Sequence, residues 1–239
     1  MMLEEVLRTG AREIGFDLTA QQVFAFMRFL DLLQEWNKKF NLTAITDEQE
    51  IVAKHFLDSL LLACYIPASG SLVDVGTGAG FPGLPIKIVY PELGVTLVDS
   101  LAKRVSFLEV VVSELGLEGV EVLHSRAEDM GKRVGMREGF DSVVARAVSR
   151  LSVLSEYCLP LAKVGGRFIA AKGPGVDQEV HEAAGALRIL GGQLVKIVET
   201  RLPGKPDIRT IVIVDKICST PAQYPRKAGL PEKKPLEGT

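Results

Sequence analysis

The chain has 239 residues, 47% of them apolar and 24% charged, with a formal net charge of −2. These values describe an ordinary globular protein of one domain with an extension, and they exclude a chain that binds nucleic acid through overall positive charge. No apolar run approaches the ~18 residues of a membrane span, and the first residues lack a signal-peptide pattern. Three scattered cysteines, in no metal-binding spacing, predict free thiols in a reducing cytoplasm and no metal.

Residues 1–66 have the periodicity of helices. Thr19 and Gln22 form a capping box for a helix with apolar positions three and four apart. Asp47 is expected to cap a further helix, whose stripe is Val52, Phe56, Leu60 and Ala63. The polar stretch 36–43 between them is predicted to be irregular, and Pro67–Gly70 marks a boundary. We therefore predict an N-terminal helical extension over residues 1–66.

Residues 73–83 read Val-Asp-Val-Gly-Thr-Gly-Ala-Gly-Phe-Pro-Gly, an apolar strand followed by a glycine loop. Glycines allow a tight turn close to a ligand, and a helix opening at Phe81–Pro82 offers unpaired N–H groups. A dinucleotide fingerprint would need a glycine where Phe81 stands. Asp74 followed by Gly76, Gly78 and Gly80 instead has the spacing of Rossmann-like S-adenosylmethionine-dependent methyltransferases, which predicts that cofactor.

Asp99 ends the next predicted strand, residues 94–99. A carboxylate at this place accepts hydrogen bonds from the ribose hydroxyls in dinucleotide folds, and we expect the same contact here. Asp99 together with the glycine loop favours a bound cofactor. Two alternatives are a glycine-rich turn without a ligand and a dinucleotide site.

From residue 71 onward strands alternate with helices. Strands are predicted at 71–75, 94–99, 120–124, 140–146, 164–171, 193–201 and 208–216, and helices at 82–90, 101–116, 126–134, 149–160 and 175–190. This alternation predicts a largely parallel sheet with both faces covered. The short 202–207 connection predicts an antiparallel hairpin at one edge. The fold class is therefore α/β, a seven-stranded Rossmann-like class I methyltransferase core over residues 67–216, followed by a basic, proline-rich, extended tail over 217–239.

Three more charged residues lie at predicted strand ends, where ligands bind in open sheets. Glu128 is placed to read the adenine edge, or to favour a helix N-terminus through its charge. Arg146 ends an otherwise apolar strand, so it must point into the cleft or pair with Asp74 or Glu128. Lys172 is placed to contact a phosphate or a base, with a solvated lysine as the alternative.

Some chemistry is missing from the sequence. It has no Asp/Asn-Pro-Pro-Tyr/Phe motif for methylating an exocyclic amine and no Pro-Cys nucleophile for pyrimidine C5. His124 and His181 are expected to be peripheral. N7 of guanine remains as a suitable target because its lone pair is free at neutral pH, so that positioning and charge stabilisation suffice.

The chain resembles the glucose-inhibited division protein B family, the bacterial small-subunit ribosomal RNA guanine-N7 methyltransferases. The matching segments are 36–43, 55–60, 74–83, 99–105, 168–173 and the tail motif Tyr-Pro-Arg-Lys-Ala-Gly-Leu-Pro at 224–231. The resemblance implies a cytoplasmic enzyme that uses S-adenosylmethionine to methylate N7 of one guanine in 16S ribosomal RNA. Unpaired loops are the usual targets of such recognition.

The resemblance also implies residue roles. Cofactor contacts are expected at Gly76, Gly78, Phe81, Asp99, Ala127, Glu128 and Arg146. Arg146 and Lys172 are expected to act in catalysis by holding the guanine or its phosphate. Substrate contacts are expected from Lys172, His55, Asp58, Lys103, Arg104 and Arg209, with Arg226 and Lys227 as further phosphate contacts. Packing or capping remains open for His55 and Asp58, and a solvated helix face for Lys103 and Arg104.

Three other functions compete with this interpretation. A small-molecule methyltransferase would use the same core, because function lives in the site rather than the fold. A nicotinamide oxidoreductase is disfavoured by Phe81, and a non-enzymatic RNA-binding factor by the intact glycine loop. The expected partner is small-subunit ribosomal RNA or the assembled small subunit, bound by a monomer without a metal or a membrane.

Overall fold

The computed structural model describes residues 2–146 and 149–236, so residue 1 of the predicted extension and residues 237–239 of the predicted tail lie outside it. The helices are α1 Leu3–Ile14, α2 Ala20–Phe40, α3 Glu48–Ile51, a π-helical segment Val52–Leu57, α4 Asp58–Ala63, α5 Gly83–Val89, α6 Ala102–Glu114, α7 Ala127–Met130, α8 Leu151–Cys158, α9 Asp177–Ile189 and α10 Leu230–Lys233. The strands are β1 Gly70–Val75, β2 Leu93–Asp99, β3 Val120–His124, β4 Phe140–Arg146, β5 Ala162–Lys172, β6 Gly192–Arg201 and β7 Ile208–Lys216. None of the described helices is long and apolar enough to cross a membrane.

The strands form one seven-stranded sheet in the order β3-β2-β1-β4-β5-β7-β6. Strands β1 to β5 pair in parallel, and β7 is antiparallel to both β5 and β6. The predicted fold class and the edge hairpin are thus confirmed. The strand order reverses direction between β1 and β4, and ligands bind at such a switch point beyond the carboxyl ends of the strands. The glycine loop follows β1 and Arg146 ends β4, so both border this crevice.

Apolar side chains cover both faces of the sheet. The N-terminal helices, α5 and α6 pack on one face in a single cluster, while α8 and α9 pack on the other. Phe29 of α2 stacks on Phe81 of the glycine loop, with ring centroids 5.2 Å apart. The N-terminal helices are therefore anchored at the ligand crevice. The domain boundaries at residues 66 and 216 remain a prediction.

Helix starts near the N-terminus agree with the sequence. The Thr19–Gln22 capping box is present, and the Asp47 side chain accepts from the Glu50 N–H at 2.9 Å. The prediction of an irregular 36–43 stretch is wrong over its first half, because α2 continues to Phe40. Its polar sequence is overridden by packing, since Trp36 contacts the Phe107 ring at 5.6 Å between centroids. The π-helical segment had no sequence signal.

Two predictions about the second half need correction. The helix expected over 126–134 ends at Met130. The next residue, Gly131, packs closely against the tail, since a Cβ there would lie 2.8 Å from the Pro225 ring. The tail is not extended. Arg137 donates to the Tyr224 and Thr220 carbonyls, each at 2.6 Å, and so ties the tail to the core.

Candidate active site

The glycine loop adopts a backbone that only glycine accommodates without strain. Gly76, Gly78 and Gly80 have φ values of 70°, 63° and 92°, in the left-handed region. A Cβ on Gly80 would lie 2.3 Å from Leu84 Cδ1, whereas one on Gly78 would meet open space. The Gly78 N–H donates to Asp99 Oδ2 at 2.9 Å. The loop is thus fastened to the end of the neighbouring strand β2.

A cavity of about 550 Å³ opens beside this loop at the carboxyl ends of the strands. Nine of the predicted site residues line it: His55, Gly76, Gly78, Phe81, Asp99, Arg104, Ala127, Glu128 and Arg146. Four do not line it, namely Asp58, Lys103, Lys172 and Arg209. The glycine loop and the ends of four parallel strands therefore converge on one space, as the sequence pattern predicted.

Asp74 lies fully buried beneath the loop. Its Oδ2 accepts from the Thr77 hydroxyl at 2.6 Å and the Gly83 N–H at 2.8 Å. Its Oδ1 has no hydrogen-bond partner among the described residues. Burial is the main cause that raises the Asp74 pKa to about 6, and the nearby Arg146 charge opposes this rise. The acid therefore holds the loop and also retains an unsatisfied acceptor.

Asp99 is buried and organises its surroundings through both oxygens. Oδ1 accepts from the Leu101 N–H at 2.9 Å. Oδ2 accepts from Arg104 at 3.2 Å and also from the Gly78 N–H. A carboxylate has about four acceptor sites, so one remains for a ligand. Arg104 is thereby held at the cavity by an acid, rather than lying on a solvated helix face.

Glu128 lies in the first turn of α7, where its charge favours the helix N-terminus. Its Oε1 accepts from the backbone N–H of Gly229, in the tail, at 2.8 Å. Gly229 and Glu232 line the cavity alongside Glu128. The tail therefore contributes to the wall, a contact that no local pattern in the sequence indicates.

Arg146 is held at the cavity wall by several partners. Its guanidinium donates to Asp58 Oδ2 at 3.0 Å and to the Lys54 carbonyl at 3.3 Å. It also lies over the Phe81 ring, 5.1 Å from the centroid. Burial lowers the Arg146 pKa, and the charges of Asp58 and Asp74 oppose that shift. Of the structural partners considered from sequence, Asp74 acts at longer range, and the direct ion pair is with Asp58.

His55 belongs to the π-helical segment and stacks on Phe81, with ring centroids 4.5 Å apart. Its Nδ1 lies 3.2 Å from Arg146 Nη2, and its Nε2 lies 2.9 Å from Thr43 Oγ1. Because a guanidinium only donates, Nδ1 must accept and the ring proton lies on Nε2. Burial, followed by the Arg146 charge, lowers the His55 pKa to about 3. His55 is therefore neutral, with both nitrogens engaged.

Asp58 links two arginines. Besides the Arg146 pair, its Oδ1 accepts from Arg209 Nε at 2.7 Å. Arg209 is thus linked to the cavity wall indirectly, through Asp58 and then Arg146. Asp58 is buried in this ion-pair network outside the cavity lining, whereas His55 both packs on Phe81 and lines the cavity.

The two predicted lysines lie outside the cavity lining. Lys172 Nζ donates to Glu179 Oε1 at 2.6 Å and to the Ser149 carbonyl. Lys103 Nζ donates to the Phe40 carbonyl at 3.1 Å and is exposed. Arg226, expected at a phosphate, instead pairs with the buried Glu156 at 2.6 Å. Each of these three side chains is thus engaged by a partner within the protein, an acid for Lys172 and Arg226 and a backbone carbonyl for Lys103.

A family model described as GidB, rRNA small subunit methyltransferase G, matches residues 22–208. The chain belongs to the GidB family. It is 51% identical over 232 residues to ribosomal RNA small subunit methyltransferase G of Desulforamulus reducens, covering 96% of this chain and 97% of that protein. It is 51% identical over 237 residues to the protein of the same name from Exiguobacterium sibiricum, covering 98% and 100%. This GidB chain is an S-adenosylmethionine-dependent methyltransferase.

Solved structures share the fold of this GidB chain at low sequence identity. TYW2 of M. jannaschii in complex with AdoMet has a TM-score of 0.51 and 13% identity, covering 66% of this chain and 72% of that one. An SAM-dependent O-methyltransferase of Thermotoga maritima has a TM-score of 0.51 and 18% identity, covering 67% and 65%. Both likenesses show the Rossmann-like fold alone.

The residues of this GidB chain fit S-adenosylmethionine. The open space beside Gly78 permits close approach to the main chain. The Asp99 carboxylate lines the cavity and provides negative charge for a cationic ligand, and the buried Asp74 beneath the loop adds to it at longer range. Tyr157 also lines the cavity, and burial followed by the charge of Glu128 raises its pKa. Tyr157 was missed because it lies within an apolar helix that carries no cofactor motif.

Proposed function

We propose that this GidB chain transfers the methyl group of S-adenosylmethionine to N7 of a guanine in small-subunit ribosomal RNA. The observation that carries the proposal is the wall beside the glycine loop. It presents the fixed Arg146 guanidinium and a neutral His55 with both nitrogens engaged, and no cysteine is among its described lining residues. Such a wall provides charge and position without a nucleophilic thiol or a free imidazole. N7 of guanine requires neither.

We assign each cofactor contact from the place of the residue in the cavity wall. Bound there, S-adenosylmethionine supplies an electrophilic methyl group. The backbone of Gly76 and Gly78 takes the methionine end, and Asp99 accepts from the ribose hydroxyls. Ala127 and Glu128 take the adenine edge. Phe81, on which both the His55 ring and the Arg146 guanidinium pack, closes the side that adjoins the N-terminal helices and excludes water.

Arg146 positions the guanine or its phosphate in this proposal. The Asp58 pair and the His55 nitrogen fix the guanidinium before substrate arrives, and a preorganised donor needs no rearrangement during reaction. Arg209 reinforces Asp58 from outside the cavity. Lys172 supports the same edge through Glu179, which also accepts from the Leu151 N–H at the start of α8. We therefore assign Lys172 to the substrate side of the site.

The RNA phosphates contact cations around the cavity mouth. Four exposed cations, Lys103, Arg126, Arg150 and Lys227, have no ion-pair partner among the described residues, and Lys103 adjoins the lining residue Arg104 in sequence. Arg126 also lines the cavity. Local positive charge of this kind reconciles an RNA substrate with a net charge of −2. We also propose a monomer that needs no metal, acting in the bacterial cytoplasm, where ribosomal RNA is found.

Labelled methyl transfer tests the proposal. Purified protein and labelled S-adenosylmethionine are incubated with unmodified 16S RNA, with intact small subunits, and with large-subunit RNA as the control. Cleavage specific for N7-methylguanine then maps the product. One modified guanine in 16S RNA is the expected result. Tight cofactor binding without transfer to either small-subunit substrate would contradict it and would favour a small-molecule acceptor.

A further inference from the structure

The C-terminal segment, defined as residues 217–236, folds back onto the cofactor side of the molecule. Its anchor is Arg226, whose Nε and Nη2 donate to the two oxygens of Glu156 at 2.9 and 2.6 Å. The Arg226 backbone N–H adds a third bond to Glu156 at 2.7 Å. Glu156 is fully buried in α8. A bidentate, charge-assisted pair of this kind fixes direction as well as distance, so the segment is held in one register.

Three residues beyond this anchor, the segment reaches the cavity. Gly229 has a φ of +79° and precedes α10, and its N–H donates to Glu128 Oε1 at 2.8 Å. A Cβ on Gly229 would meet no atom within 4 Å, so the requirement for glycine comes from the left-handed backbone rather than from space. The positive φ therefore serves to aim this N–H at Glu128.

The bond to Gly229 occupies one oxygen of Glu128. The other oxygen, Oε2, receives no hydrogen bond from the described residues, and Glu128 is 6% exposed at the cavity wall. A carboxylate held through one oxygen cannot turn freely, so the second oxygen is presented as a fixed acceptor. An amino group on a ligand would pair with such an acceptor, whereas a carbonyl oxygen at the same place would be repelled.

We propose that the C-terminal segment is a positioning element for adenine recognition: the Arg226–Glu156 pair seats Gly229, and the Gly229 N–H orients Glu128 toward the 6-amino group of the cofactor. The inference rests on the proposed Glu128–adenine contact. It assigns Arg226 and Gly229 of the tail motif to cofactor discrimination, and leaves Lys227 as the phosphate contact of that motif. Preorganisation of this kind lowers the ordering cost of binding.

Two ligands that differ only at the purine 6-position provide the test. S-adenosylhomocysteine carries an amino group there and S-inosylhomocysteine a carbonyl group. Titration calorimetry gives both dissociation constants for each protein, and their ratio is the readout. A general loss of stability weakens both ligands together and leaves the ratio unchanged, whereas a misdirected Glu128 changes it.

The first variant, Gly229→Val, strains the left-handed backbone without touching the buried pair. Its matched control is Gly204→Val, because Gly204 also has a positive φ of 67° and open space for a Cβ, but lies in the β6–β7 turn. The second variant, Glu156→Gln with Arg226→Gln, removes both charges of the anchor together. Its control is Arg167→Gln, which removes the cation of a half-exposed pair with Asp215 on the far strands.

We expect the wild-type protein and both controls to prefer the adenosyl ligand by about tenfold or more, and Gly229→Val to lose most of that preference. The double variant, if folded by circular dichroism, should behave like Gly229→Val. A wild-type ratio in a folded Gly229→Val protein, with the ratio lost in Glu128→Ala, would overturn the role of the segment and leave the Glu128 assignment standing. A wild-type ratio in Glu128→Ala would overturn that assignment and the inference together.

Discussion

Arg146 donates to the unprotonated Nδ1 of His55 at 3.2 Å, which fixes the imidazole as the neutral tautomer with its proton on Nε2. Thr43 Oγ1 accepts the hydrogen bond from that Nε2–H at 2.9 Å. The imidazole ring thus contacts the Arg146 guanidinium, the Phe81 ring and the Thr43 hydroxyl at the same time. Protonating it would set two cations against each other in a buried place.

The first prediction concerns pH. The pKa of His55 falls from 6.5 unfolded to about 3 folded, so between these values the unfolded chain binds more protons and stability rises with pH. His55 alone should make the protein about 2 kcal/mol less stable at pH 5 than at pH 7. Asp74 acts in the opposite direction. Because its pKa rises on folding from 3.8 to about 6, its contribution to the free energy of unfolding falls as pH increases through that range.

Urea unfolding of wild type and His55→Gln at both pH values isolates the His55 part. His181→Gln, at an exposed position, is the control, and equal pH slopes in all three proteins would contradict the prediction.

The second prediction concerns Asp58, which serves two arginines. Asp58→Asn leaves the buried Arg146 charge without its direct ion pair, and breaking a buried pair in this way costs about 3–5 kcal/mol. Asp207→Asn is the matched control, since Asp207 faces Arg209 at 3.9 Å and is one-third exposed. Exposed pairs contribute about 0–1 kcal/mol. Chemical denaturation should therefore separate the two variants clearly. Similar stabilities would show that Asp58 does not hold Arg146 in place.

The third prediction concerns Asp99. Asp99→Ala removes the proposed ribose acceptor and leaves the Gly78 and Leu101 N–H groups unpaired. Affinity for S-adenosylhomocysteine should fall by roughly 1–3 kcal/mol, as expected when buried hydrogen bonds are removed. Calorimetric titration measures the change, and Asp215→Ala, a carboxylate paired on the far strands, provides the control. Unchanged affinity would contradict the ribose assignment.

The fourth prediction concerns Lys172. Lys172→Met should leave S-adenosylhomocysteine affinity unchanged and lower the rate of methyl transfer to small subunits by on the order of ten- to a hundredfold. Lys163→Met is the matched control, because Lys163 lies near the start of the same strand and also pairs with an acid, Asp141 at 2.9 Å. Normal transfer by Lys172→Met would remove Lys172 from the substrate side of the site.

The fifth prediction concerns the cavity mouth. Replacing Lys103 and Arg126 together with Gln should weaken 16S RNA binding and reduce the dependence of log affinity on log salt by about one for each RNA phosphate that is no longer neutralised. Lys196→Gln, on the edge strand β6, is the control and should change neither quantity. Filter binding across a salt series measures both. A double variant with the wild-type salt slope would show that RNA binds elsewhere.

Local sequence patterns determined the fold class and the centre of the site. Short-range rules sufficed for the strands, the edge hairpin, the caps at Thr19 and Asp47, and the glycine loop, because each depends on neighbours in the chain. The strand ends then converged at one edge of the sheet. Nine of the thirteen predicted site residues consequently line one cavity.

Only the tertiary structure decided which charges meet. Asp58 with Arg146 and Arg209, Lys172 with Glu179, and Arg226 with Glu156 are not determined by any local pattern. Asp58 lies 88 positions from Arg146 and 151 from Arg209, and Arg226 lies 70 positions from Glu156. The physical reason is that a buried charge takes whatever partner the packed chain brings near it, since leaving it alone is costly. Sequence therefore predicted most of the residues that line the cavity where we propose that the cofactor binds, whereas the folded chain decided which residues hold that cavity in shape.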